Sequence, residues 1–133
     1  LDLAIEDYTR ALDLEPRFSL ALCGRAAARR TVGDLAGALV DAEAAVAVEP
    51  KAWFTHQERG LAHAALGDPA AAIRDLTRAL ELSPDQVGPY AQRAMARRAL
   101  GDHRGAIDDC TMALELGSED AGSDHAHDQV SLA

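Results

Sequence analysis

Pro16, Pro50 and Pro84 stand 34 residues apart, and this spacing limits the chain more than any other feature. A fixed period of this length marks stacked supersecondary units, each touching only its neighbours. Other columns keep the same register: Gly33-Asp34, Gly67-Asp68 and Gly101-Asp102; Ala4, Ala38, Ala72 and Ala106; Ala11, Ala45, Ala79 and Ala113. Each unit reads as two helices. In the unit 53–86, a helix from Trp53 to Leu66 meets Gly67-Asp68, a second helix runs from Pro69 to Leu82, and Ser83-Pro84 follows. Gly67 supplies the left-handed residue that ends a helix, Asp68 accepts from free N–H groups of the next, and Pro69 fits a first helical position. Pro84 prevents continuation.

The apolar positions suit thin layers. Hydrophobic residues make up 48% of the chain, but 29 of them are alanines and only 4% of residues are aromatic. Alanine buries little area, favours helix and lets helices approach closely. Ala72, Ile73, Leu76, Ala79 and Leu80 form a stripe at three- and four-residue steps that one hairpin cannot cover alone. The small column Ala26, Gly60 and Ala94 on first helices allows close packing against the second helices.

The 34-residue period, the small residue of the first helix, the Gly-Asp turn, the paired alanines and the closing proline resemble the tetratricopeptide repeat family. That resemblance implies an all-α, right-handed superhelical α-solenoid of antiparallel helix pairs. It divides the chain into 1–18, the second helix of a truncated repeat, and three repeats at 19–52, 53–86 and 87–120. Ser118 replaces the closing proline and Asp128 stands in the small column, so 121–133 is expected to be a polar, flexible tail rather than a new hairpin. Leu1 opens within a helical pattern, which suggests a piece of a longer protein.

Two charged columns share the period: Arg25, Arg59 and Arg93 on first helices, and Asp7, Asp41, Asp75 and Asp109 on second helices. A partly buried charge needs a partner, so these columns are expected to form a structural ladder of Arg–Asp pairs between helices, bidentate where geometry permits. The alternative is a ladder of arginines that receives a ligand. First helices also carry Arg29, Arg30, Arg97 and Arg98, with Glu58 as their only acid. By the resemblance, first helices line a concave groove, which would then be more positive than the chain as a whole and attract an acidic peptide. Solvated or internally paired flanks are the plainer reading. Helical phase assigns Arg30, Phe54, Gln57, Glu58, Leu61, Gln92, Met95 and Arg98 to the groove, with packing between units an equal alternative for Leu61 and Met95.

Members of the family that hold heat-shock chaperone tails do so with a carboxylate clamp of lysines, an arginine and asparagines. The matching positions here are Cys23, Ala27, Glu58, Gly88 and Gln92, so binding of such a tail is not expected. His56 and His63 lack nearby ligands at suitable spacing, and the stretch Asp124-His125-Ala126-His127-Asp128 reads as solvated rather than as a metal site. Neither a Ser-His-Asp arrangement nor a Gly-rich phosphate loop is present. No enzyme activity, cofactor or metal is therefore expected. A formal net charge of −9 disfavours nucleic acid, and no run is apolar enough to span a membrane. Cys23 and Cys110 have neither disulfide-framework nor zinc spacing, and Cys110 shares a core column with Tyr8, Ala42 and Leu76. The compartment stays open, with the cytoplasm favoured. The function expected is a protein-protein interaction module within a larger scaffold or adaptor. The alternative is a regulatory or self-associating region of a multidomain protein, meeting partners through its exposed repeat ends.

Overall fold

The computed structural model describes the backbone of residues 2–132 and the side chains of residues 3–119. It contains seven helices among the described residues: α1 (Asp2–Leu14), α2 (Ser19–Thr31), α3 (Leu35–Val48), α4 (Trp53–Ala65), α5 (Pro69–Leu82), α6 (Val87–Ala99) and α7 (His103–Leu132). The pairs α2–α3, α4–α5 and α6–α7 are antiparallel hairpins, and α1 packs beside α2 as the second helix of a preceding unit. The architecture is an all-α tetratricopeptide-type solenoid.

Local chemistry sets the hairpin turns. Gly33, Gly67 and Gly101 have φ of 93°, 82° and 82°, a region that side chains other than glycine rarely adopt. At the second turn, the Asp68 N–H donates to His63 O at 2.9 Å and the Gly67 N–H to Ala64 O at 3.0 Å, closing the end of α4. The Asp68 side chain then accepts from the Ala71 N–H at 3.1 Å and starts α5, with Pro69 in the first turn. Asp34 and Asp102 cap α3 and α7 in the same way, accepting from Gly37 and Gly105. The turn between units is tied differently. The Thr55 hydroxyl donates to Glu49 O at 2.8 Å, and His56 Nε2 lies 2.6 Å from Pro50 O.

The core is a series of small layers. Ala26, Ala42 and Ala62 form one, with Leu39 against it; Ala72, Leu76 and Ala96 form the next, with Ile73 against it. Alanine at these places brings helix axes together, and Leu76, 1% exposed, is the largest side chain enclosed. The first helices α2, α4 and α6 neighbour one another, whereas α3 and α5 do not come into backbone contact. The first helices therefore form an inner row and the second helices an outer one, which curves the stack around a concave face.

At the C-terminal end, α7 passes Ser118 without a stop and continues to Leu132. The physical reason is the missing proline, since serine does not interrupt the i to i+4 bonding that Pro16, Pro50 and Pro84 forbid. The side chains of the tail 121–133, His125 and His127 among them, lie outside the described residues.

The same column is buried in one unit and bare in the last: Leu80 is 6% exposed and Leu114 is 72% exposed. Leu80→Ala is expected to cost about 2–4 kcal/mol through lost burial and a residual cavity. Leu114→Ala should stay within about 0.5 kcal/mol of the parent, as an exposed substitution does. Urea unfolding of both variants checks the difference.

Candidate functional site

The repeated acids of the second helices lie inside the hairpins. The side chains of Asp41, Asp75 and Asp109 are 3%, 9% and 3% exposed. Each meets the arginine 16 residues earlier. Arg25 donates from Nε and Nη2 to the two oxygens of Asp41 at 2.9 and 2.8 Å, and Arg93 does the same to Asp109 at 2.9 and 2.7 Å. Arg59 donates to Asp75 at 3.0 and 2.8 Å. Hydrogen bonding to Asp41 and to Asp75 raises Arg25 and Arg59 above the usual guanidinium range, against the opposing effect of burial. Each pair joins the two helices of one hairpin.

The arginines also reach back one unit. Arg25 Nη1 donates to Thr9 Oγ1 at 3.3 Å and Arg93 Nη1 to Thr77 Oγ1 at 3.1 Å, while in the middle unit this place is taken by Glu43, whose charge acts on Arg59. A second basic side chain stands by each acid: Arg29 on Asp41 and Arg97 on Asp109, both at 2.9 Å, with the His63 ring 3.8 Å from Asp75. The column Arg29, His63 and Arg97 thus belongs to the ladder, and its signal in the sequence is a place one helical turn after the first cation. Asp7 departs from the expected set. It is exposed, and no cation pairs with it among the described residues, because Arg25 turns forward to Asp41 and meets the preceding helix at Thr9.

On the concave face, Arg30 and Glu58 link α2 to α4 through a 3.2 Å ion pair, and Gln57 donates to Gln92 at 2.9 Å between α4 and α6. Burial raises the Glu58 carboxyl above its ordinary value and Arg30 opposes that shift. Cys23 lies near this pair, and burial, with Glu58 and Glu49 nearby, pushes its thiol up to about 12. Six of the seven first-helix arginines therefore have a carboxylate partner, and Arg98 has none among the described residues. Much of the positive charge expected in the groove is spent on internal acids.

What remains open is apolar. Between α4 and α6 a cleft of ≈ 460 Å³ is lined by Leu61, Ala64, Pro69, Gln92, Met95 and Ala99 among others. It opens beside the Gln57–Gln92 bridge that joins the two helices, and Met95 is largely exposed at its edge. Of the groove residues expected from helical phase, Leu61, Gln92 and Met95 line this cleft, and Arg30, Gln57 and Glu58 form the bridges beside it. Phe54 packs edge-on against Trp53, with ring centroids 6.1 Å apart, at the start of α4. Arg98 is not among the residues that line the cleft and lines hollows between α6 and α7. Cys110, placed by its column in the core, is exposed, since among the described residues α7 packs against α6 alone.

No group of His, Cys, Asp and Glu suited to a metal ion occurs among the described residues, and no described helix is long and apolar enough to cross a membrane. Residues 53–86 match the family model of the tetratricopeptide repeat. A MamA fragment from Desulfovibrio magneticus RS-1 superposes with a TM-score of 0.78 at 22% identity, over 89% of this chain and 67% of that one. A thermophilic TPR protein in Thermus thermophilus gives 0.81 at 25% identity, over 86% of this chain and 65% of its own. The second TPR of Spaghetti (RPAP3), bound to the HSP90 peptide SRMEEVD, gives 0.70 at 21% identity, over 74% of this chain and 91% of its own. No curated protein sequence matches the chain. The chain spans about two thirds of the length of the first two of these structures.

Removing a buried acid strands two cations. Asp41→Ala is expected to destabilise by about 3 kcal/mol or more, because Arg25 and Arg29 lose their shared partner inside the hairpin. Asp7→Ala should change stability by less than about 0.5 kcal/mol. Equal effects of the two in chemical unfolding would dissolve the distinction between ladder and surface acid.

The cysteines differ in the same testable manner. Cys110 is exposed, whereas burial pushes the Cys23 thiol up to about 12, so at pH 8 iodoacetamide should label Cys110 and leave Cys23 unmodified until the chain unfolds. Peptide mass mapping reads the two sites separately.

Proposed function

Because this chain is a tetratricopeptide repeat array, we propose that it is a non-catalytic interaction module that holds a segment of another protein on its concave face. The cleft between α4 and α6 carries this reading. It is of a size to take one or two apolar side chains, it sits between rigid first helices, and Gln57 and Gln92 beside it offer amide groups to a peptide backbone. Apolar contact at Leu61 and Met95 supplies the affinity. Charge has a smaller part than the arginine count suggests, since the arginines of the ladder hold internal aspartates.

The carboxylate clamp of chaperone-binding relatives is not a feature of this groove. Its places hold the thiol of Cys23, Ala27, Gly88, Gln92 and Glu58, and Glu58 would set a like charge against an incoming carboxylate. The neighbour with a bound HSP90 peptide is 21% identical and shows the shared fold alone. The setting we infer is a larger scaffold or adaptor in which the array supplies the binding surface.

Selection of a random peptide library on the whole chain tests the proposal. Peptides with one or two large apolar residues should be enriched, and Leu61→Glu should weaken their binding about tenfold or more. Enrichment of peptides that bind Leu61→Glu undiminished would remove the cleft from the account. In the same assay SRMEEVD should bind with a Kd weaker than about 1 mM, and micromolar binding would restore a clamp-like mode.

A further inference from the structure

Two successive pairs of first helices are built alike and differ at one place on their rims. On the rim of α2, Arg30 sends its side chain across to α4 and meets the docked Glu58 at 3.2 Å. The Arg30 Nε is shut off from solvent and has no hydrogen-bond partner among the described residues, so the arm is enclosed as far as that atom. One period later the rim residue is Ala64, which is exposed, and the docked residue is Gln92. The cleft of ≈ 460 Å³ lies at this second place, and Ala64 is part of its lining. The array therefore closes the space between α2 and α4 with its own arginine and leaves the matching space between α4 and α6 open.

The walls change together with the arm. Ala27, Ala42 and Leu61 of the first pair are replaced by Leu61, Leu76 and Met95 of the second, and no charged side chain lines the cleft. An incoming guanidinium would find no acid there, since Gln92 is neutral and already accepts from Gln57 at 2.9 Å. An unbranched apolar chain avoids that cost. The enclosed part of the Arg30 arm is the unbranched run Cβ, Cγ, Cδ, Nε. Methionine has a run of equal length, Cβ, Cγ, Sδ, Cε, and ends in a methyl group where Arg30 carries a buried, unpartnered N–H.

We propose that Ala64 is the specificity-determining residue of the concave face, and that the cleft it opens takes one methionine side chain from the segment held there. This rests on the groove reading above and names the chemistry of the anchor. Leu61, Leu76 and Met95 surround the inserted thioether, and Met95, 73% exposed at the edge, is free to turn over it. Branched and aromatic side chains are wider than the arm whose place they would take, and a charged one would be buried without a partner. Arg30 fills the corresponding place between α2 and α4, so the segment has no equal anchor one unit earlier.

The probes are acetylated and amidated pentapeptides Ala-Ser-X-Ser-Ala, with methionine, norleucine, leucine, phenylalanine, arginine or glutamate at X. They are titrated into the whole chain with isotope-labelled methionine methyl groups, and the nuclear magnetic resonance of the Met95 methyl reads occupancy. The methionine and norleucine peptides are expected to shift it saturably and to bind about fivefold or more tighter than the other four. Ala64→Arg, which returns the arm of Arg30 to an exposed position, should weaken methionine binding about tenfold or more. Gln92→Glu supplies the acid that Glu58 provides in the first pair, and should strengthen binding of the arginine peptide about fivefold or more. Equal binding of all six peptides, undiminished binding by Ala64→Arg, or an arginine peptide held no better by Gln92→Glu overturns the proposal. Library peptides that lose affinity on Leu61→Glu yet show no preference for methionine would also overturn it, while the groove reading stands. A Met95 methyl that responds as expected in a chain that retains no library peptide would leave the methionine site in place and overturn the groove reading.

Discussion

Inside each complete hairpin a carboxylate is almost wholly removed from water, and its cost is offset only because a guanidinium is held against it in bidentate geometry. Asp41, Asp75 and Asp109 on the second helices meet Arg25, Arg59 and Arg93 on the first. A hydrophobic layer made largely of alanine has little shape to set the angle between two helices. The ion pair provides direction where the apolar contacts do not. It also determines the character of the binding surface, since a guanidinium that faces inward to an aspartate is withdrawn from the groove.

The units then differ through a few side chains laid over this common frame. Arg30 and Glu58 draw α2 and α4 together, whereas Leu61 and Met95 line the apolar cleft left between α4 and α6. Replacing the rim arginine by Ala64 and the docked glutamate by Gln92 exchanges a charged bridge for an amide one. The stack is regular in its backbone and irregular along its concave face. In a repeat protein the stabilising contacts can recur while the residues that distinguish one partner from another do not.

Met95 belongs to two surfaces at once, bordering the concave cleft on one side and the open face of α6 and α7 on the other. Such sharing follows from the thinness of the layers. A single helix has a groove side and a stacking side only a few residues apart, so one side chain can border both.

The period, the helix pairs, the turn glycines and the capping aspartates were legible from the sequence alone, because each depends on residues within one unit. The existence of an Arg–Asp ladder was legible too, since both columns share the period. Its membership was not. Asp7 has the same column as Asp41 yet lies exposed, and Arg29, which sequence places on a flank, is a second cation on Asp41. Cys110 shares a column with Leu76 and not its burial. Sequence determined what each unit is. Tertiary structure alone decided which arginines are free, where the first helices separate and which copies of a column face solvent. The physical reason is that burial and pairing belong to a residue and the unit stacked upon it, and equivalent columns cease to be equivalent where the neighbour changes or is missing.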